Sequence, residues 1–143
     1  MEGQWVCSHN HERNVIFTNE TREFAVGFEY VKGTRKAPIV SLIAEGEVCK
    51  KRMKKIEKEQ TIDVVESGSF AAILASISEI EEEIPRELYE GVALELAKYF
   101  NEKERQEKDS YLQDSIELVY LFGNINNNKS FDIVYSIHAG YVL

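Results

Sequence analysis

A chain of 143 residues with 43% hydrophobic and 10% aromatic residues is long enough to bury a core as a single domain over 1–143. It has no run of about 18 apolar residues, which excludes a membrane-spanning helix, and its start lacks the features of a secretory signal. The net charge of −8 argues against binding of DNA or RNA, because affinity for phosphates needs a cationic surface. We therefore expect a cytoplasmic protein whose Cys7 and Cys49 are reduced thiols.

The first part of the chain predicts three strands, at 15–17, 24–31 and 39–44. A polar turn joins the first two, and Pro38 opens the third. Such an order favours an antiparallel meander. Alternation in the second strand places four large side chains on one face, which we expect to be core. These are Phe24, Val26, Phe28 and Tyr30.

The middle of the chain predicts helices. Residues 47–59 are helical with a thin apolar stripe, and 61–65 form a short strand. Apolar residues then recur at helical spacing over 70–84, with glutamates on the outer face. Pro85 ends that helix and starts the next one, because a proline at the first helical position loses no hydrogen bond.

The end of the chain predicts a hairpin of two strands, at 116–122 and 131–142, joined by a turn rich in Gly and Asn. Strands, then helices, then a hairpin are typical of an α+β domain. We expect an antiparallel sheet of about five or six strands with two or three helices packed on one face.

Positive charge is concentrated in one short stretch of this acidic chain. Segregated charge of both signs suits a protein that docks onto another macromolecule through electrostatic complementarity. The alternative is an ordinary solvent-exposed helix face. The predicted binding residues, for a protein partner, are Lys50, Lys51, Arg52, Lys54, Lys55 and Lys58.

A metal site is the sharpest chemical hypothesis. In an extended segment Cys7, His9 and His11 point to the same side, and zinc takes such ligands. Glu12 or His138 would complete the site. The alternative is a polar N-terminal segment, since the usual CxxC and HExxH spacings are absent. Apart from this zinc hypothesis, no cofactor is expected.

No catalytic motif such as GxSxG or a Walker loop occurs, which favours a non-enzymatic protein. Small size, acidity and segregated charge indicate a binding protein of the immunity, antitoxin or phage-inhibitor kind. Richness in Lys, Glu, Ile and Asn fits a low-GC bacterium or its phage. An acidic inhibitor of this kind masks a basic cleft on its protein target.

Two other functions stay open from the sequence. One is a binder that sequesters a small molecule or nucleotide in a pocket between subunits. The other is a metal-dependent hydrolase that uses Cys7, His9 and His11. Edge strands of the predicted sheet also favour a homodimer. The residue types suited to the pocket are Arg22, Arg35, Tyr30 and Tyr141.

Overall fold

The computed structural model describes residues 2–31 and 37–107, together with Phe131, Tyr135, His138 and Ala139. The chain divides into two compact units. The first comprises Met1–Val31 and Pro38–Arg86, and the second comprises Lys32–Ala37 and Glu87–Leu143. The single domain predicted over 1–143 stays a prediction.

The first unit is built on one five-stranded sheet with the strand order β1-β4-β3-β2-β5. Neighbouring strands are antiparallel, except that β5 runs parallel to β2. The middle strands β2, β3 and β4 form the meander predicted from the sequence. The strands are β1 Gln4–Cys7, β2 Val15–Thr18, β3 Phe24–Glu29, β4 Ile39–Glu45 and β5 Asp63–Glu66.

Helix α1, Gly46–Glu59, covers one face of this sheet. Its Cys49 and Met53 are fully buried in a cluster with Ile16 and Leu42 of the sheet. These two sheet residues share a face because each is in register with Gly27 of β3. The thin apolar stripe of α1 is therefore enough to anchor the helix.

Helix α2, Ser69–Ile77, covers the opposite face. Phe17 follows Ile16 and points the other way, as alternation along a strand requires. Its ring centroid lies 5.1 Å from that of Phe28 and 6.3 Å from that of Phe70 in α2. The face of the sheet under α2 is the one that the alternation in β3 predicted as core.

The start of α1 depends on a close backbone approach between two glycines. Gly46 has φ +82°, and a Cβ placed on it would come within 2.6 Å of the Gly3 Cα. The Val48 N–H donates to the Glu2 carbonyl at 2.8 Å, which satisfies one of the free donors at the helix start. Any side chain at these glycines would push β1 away from the helix.

Helix α2 is shorter than predicted, because it ends at Ile77 where the sequence predicted helix up to residue 84. The segment after it pairs with the beginning of β4. The Val40 N–H donates to the Glu82 carbonyl at 2.8 Å, and the Ile84 N–H donates to the Pro38 carbonyl at 3.0 Å. These hydrogen bonds between distant parts of the chain override the helical apolar spacing.

The second unit contains α3, Tyr89–Glu107, which follows a single 3-10 turn at Arg86–Leu88. Its Val92 and Leu96 are fully buried. The Tyr89 and Phe131 rings meet edge to face with centroids 5.7 Å apart.

The α+β class and the five-stranded sheet are confirmed. The helices were expected on one face, but α1 and α2 lie on opposite faces, because β2 is buried along its whole length and both its faces need a cover. The predicted strand 116–122 lies outside the described residues. Within 131–142 the described positions are helical rather than extended. They are Phe131, Tyr135, His138 and Ala139.

Candidate docking surface

The cationic stretch predicted from the sequence lies on α1, and the helix geometry sorts its members by direction. Successive residues of an α-helix are rotated by about 100° about its axis. Cys49, Met53 and Ile56 therefore share one side, and this side faces the sheet. Residues rotated about half a turn from them project away from the protein.

Four lysines occupy the outward side of α1 and are exposed to solvent. Within residues 2–31 and 37–107, no carboxylate lies within ion-pair distance of their ammonium groups. Because they are spaced i, i+3, i+4 and i+7, they form one continuous stripe about 10 Å long. We call this stripe the lysine face; it consists of Lys51, Lys54, Lys55 and Lys58.

The other two predicted cations lie at the borders of the lysine face and have partners. Lys50 Nζ is 3.3 Å from Glu47 Oε1 in the preceding turn. The Arg52 guanidinium lies over the Trp5 ring, 5.2 Å from its centroid, in a cation–π contact. This contact connects the side of α1 to strand β1.

Another cation, Arg22, holds the other border of α1 through ion pairs. It was not among the residues predicted for docking. Arg22 lies in the turn between β2 and β3, with φ +60°. Its Nε and Nη2 donate to the Glu57 carboxylate at 3.0 and 2.7 Å, and Nη1 donates to Glu66 Oε2 at 3.0 Å. We call this group the Arg22 clamp; it joins the turn to α1 and β5.

The carboxylates of the Arg22 clamp stabilise the charged form of its guanidinium. The hydrogen bonds to Glu57, and then those to Glu66, raise the pKa of Arg22 against the opposing effect of its partial burial. Bidentate pairing of a guanidinium with a carboxylate adds geometric specificity. Arg22 is thus committed to structure, whereas the sequence suggested it for a ligand pocket. Arg35 and Tyr141 of that pocket lie outside the described residues.

The proposed zinc ligands are placed separately. Cys7 packs against the apolar cluster under α1, while His9 is exposed. His11 Nδ1 lies 3.1 Å from Glu29 Oε1. Across the part of the chain that the structure describes, no group of three or more His, Cys, Asp or Glu side chains is arranged to hold a metal. The zinc hypothesis stays a prediction without geometric support.

The polar segment after β1 makes a different contact, with Glu81. The Ser8 hydroxyl donates to Glu81 Oε2 at 3.0 Å, and Asn10 Nδ2 donates to both carboxylate oxygens at 3.2 Å. These hydrogen bonds, from Ser8 first and then Asn10, hold the pKa of Glu81 below its ordinary value. The contact joins the segment after β1 to the segment after α2.

Cys49 does not have the surroundings of a nucleophile. Burial raises the pKa of Cys49 to about 11, and the nearby Glu45 carboxylate adds to the effect. The thiol is therefore protonated at neutral pH, whereas a catalytic cysteine needs a lowered pKa. Cys49 serves as a small apolar residue under α1.

None of the helices in the described residues combines the length and the apolar character needed to cross a bilayer.

The described part of the chain is thus a mixed sheet between two helices, with a cationic outer face on one of them. The model of the FlhB HrpN YscU SpaS family matches residues 9–98, which is more than half of the chain. The chain belongs to this family. No curated protein sequence gives a significant match.

A solved structure is similar to this chain. It is the cytoplasmic domain of FlhB from Shewanella putrefaciens, with 25% sequence identity and a TM-score of 0.53. The similar region covers 66% of this chain and 75% of that domain. The predicted cytoplasmic location is confirmed by this match to a cytoplasmic domain.

The function predicted from the sequence is wrong. Membership in the FlhB HrpN YscU SpaS family excludes an immunity protein, an antitoxin or a phage inhibitor. Acidity, small size and segregated charge led to that prediction, but proteins of many unrelated functions share these properties. The family model matches residues 9–98, and this range contains neither a GxSxG motif nor a Walker loop.

Proposed function

We propose that this chain is a component of a type III secretion export apparatus and acts there by binding other proteins. The observation that carries this proposal is the family match over residues 9–98. The matched range includes β2 to β5, α1 and α2, so it takes in the central strands of the sheet and the helices on both of its faces.

One property of the described residues supports binding as the mode of action. The lysine face gives the first unit an exposed cationic surface. Electrostatic complementarity speeds association and selects partners. A protein that works inside an assembly needs such surfaces more than it needs a catalytic centre.

Affinity purification from the source organism tests the proposal. The full chain carries a small tag at one end, and the cells are treated with a reversible cross-linker before lysis. Mass spectrometry then identifies the recovered proteins. We expect other components of the export apparatus to be enriched over a control strain that expresses the tag on an unrelated acidic protein.

The contradicting result is equally specific. If the recovered proteins include no export component, and instead a single toxin or host enzyme is enriched, the chain does not work in an export apparatus. Repeating the purification with a variant that unfolds the sheet, Phe17→Asp, shows which proteins bind the folded chain and which only bind exposed apolar surface.

A further inference from the structure

We propose that the lysine face of α1 is a docking surface for an acidic helical segment of a partner protein. The inference deepens the proposed function, on which it rests for the kind of partner. These four lysines are exposed, follow one side of the helix and have no ion-pair partner in the described part of the chain: Lys51, Lys54, Lys55 and Lys58.

Within residues 2–31 and 37–107 the lysine face has no ion-pair partner, although the chain has an excess of carboxylates. The sequence contains 25 Asp and Glu against 17 Lys and Arg. Of the three glutamates of α1, Glu57 pairs with Arg22 and Glu47 pairs with Lys50. Glu59 is exposed and makes no ion pair with the stripe within the described residues. The cations of the stripe are therefore available to carboxylates of another molecule.

The lysines also repel one another. Lys51 and Lys55, and likewise Lys54 and Lys58, are four residues apart, where like charges destabilise a helix. A partner with carboxylates opposite the stripe removes this repulsion and gains the attraction of opposite charges. The helix itself needs no further support, because its other side is anchored by Met53 and by the Arg22 clamp.

The spacing of the stripe specifies the shape of the partner. Positions i, i+3, i+4 and i+7 follow one side of a helix over about 10 Å. A second helix laid alongside, with glutamates at the same spacing, offers one carboxylate to each ammonium group. Charged residues that flank the contact between paired helices of coiled coils choose partners in the same manner.

A membrane or a nucleic acid fits the lysine face less well. A helix that inserts into the lipid interface uses its apolar side, but here the apolar side of α1 is buried against the sheet. Binding of single-stranded nucleic acid uses aromatic rings between the cations. The four lysines have no aromatic residue between them in the sequence, and the Trp5 ring lies under Arg52 at the border of the stripe.

A direct binding measurement tests the inference on the full chain. The probe is a fluorescein-labelled, alanine-based helical peptide with glutamates at i, i+3, i+4 and i+7, and its control is the same peptide with glutamines. Anisotropy is recorded at about 50 mM and about 300 mM salt, because screening weakens exposed charge pairs. We expect binding of the glutamate peptide alone, and weaker binding at the higher salt.

Two matched variants locate the binding surface. The first replaces the lysine face by glutamines, and the second removes the same amount of charge from exposed residues outside α1. We expect about tenfold weaker peptide binding for the first and unchanged binding for the second, since each exposed pair contributes a small share. The control substitutions are Arg86→Gln, Lys98→Gln, Lys103→Gln and Arg105→Gln.

Reversing the charge gives an independent check that does not depend on loss of binding. With glutamates at all four positions of the lysine face, the chain should bind the corresponding lysine peptide and reject the glutamate peptide. Far-ultraviolet circular dichroism and the emission of Trp5, the only tryptophan, confirm that each variant is folded.

Three outcomes would overturn the inference. They are equal losses of binding in the two variants, absence of binding to the glutamate peptide, and preferential binding to vesicles that contain phosphatidylserine. None of these three outcomes contradicts the proposed function, because the recovery of export components with the native chain is measured separately. Conversely, peptide binding to the lysine face without recovery of any export component leaves the docking surface intact and removes the proposed function.

Discussion

The two sides of α1 use their side chains for different purposes. On the inner side, Met53 and Cys49 are fully buried, and the charged Glu57 is paired with Arg22. On the outer side, the lysine face is exposed, and within the described ranges it has no ion-pair partner. The comparison separates charges that hold the fold together from charges that are available for binding.

The largest effect is expected at the inner side. Replacing Met53 by alanine leaves a cavity between α1 and the sheet and should lower the free energy of unfolding by about 2–5 kcal/mol. The adjacent Lys54→Ala should change it by less than about 0.5 kcal/mol, because this side chain is exposed. Urea unfolding followed by circular dichroism measures both. Equal effects at the two positions would mean that α1 is not seated on the sheet as described.

The Arg22 clamp should have the next largest effect. Arg22→Ala removes the ion pairs to Glu57 and Glu66 and should lower the free energy of unfolding by about 1–3 kcal/mol. Arg22→Gly also loses the pairs, but glycine tolerates the left-handed φ of +60°. We expect it to recover about 1 kcal/mol relative to alanine. If both variants unfold at the same urea concentration as the native chain, the clamp does not contribute to stability.

A smaller effect is expected at the border between the two sides. Arg52→Gln removes the cation–π contact with Trp5 and should lower the free energy of unfolding by about 0.5–1 kcal/mol. Because Trp5 is the only tryptophan, its emission spectrum reports the loss directly. Lys55→Gln also removes one positive charge, but from the lysine face, and it should leave the emission spectrum of Trp5 unchanged. A shift of equal size in both variants would show that only net charge matters.

The smallest effect concerns the pH dependence of the contact between Glu81 and its donors. Hydrogen bonds from Ser8 and Asn10 lower the pKa of Glu81 in the folded state. Such a group adds stability above the unfolded-state pKa, about 4.3 for Glu, and loses it as the pH falls through the folded-state pKa. The melting temperature of Glu81→Gln should therefore approach that of the native chain as the pH is lowered from about 6 to about 3. Parallel curves would contradict this contribution.

Local sequence patterns predicted most of the first unit. Runs of β-branched and aromatic residues located β2, β3 and β4, and the spacing of apolar residues located α1. Helical periodicity alone also separates the exposed Lys51 from the buried Met53 on α1. These features depend on residues that are close together in the chain.

Features that depend on distant residues were not predictable. Arg22 and Glu57 are 35 positions apart, and nothing near Arg22 in the sequence indicates its partner. The end of α2 at Ile77 is set by hydrogen bonds between Glu82 and Val40, and the apolar residues beyond it mimic a longer helix. The placement of α1 and α2 on opposite faces required knowledge of how completely β2 is buried.

Function was the least accessible property. Lys51, Lys54, Lys55 and Lys58 are exposed on one side of α1, but exposed charge does not specify a class of partner. The family was recognised from the pattern over residues 9–98 as a whole. The homodimer predicted from edge strands stays a prediction; in the described sheet, β1 and β5 are its edge strands.

A secretion assay tests the central claim most directly. The gene is deleted from the source organism, and the proteins exported to the medium are quantified by mass spectrometry with and without the full chain supplied from a plasmid. Participation in the export apparatus predicts that deletion reduces export of the secreted substrates and that the plasmid restores it. Unchanged export in the deletion strain would contradict the account.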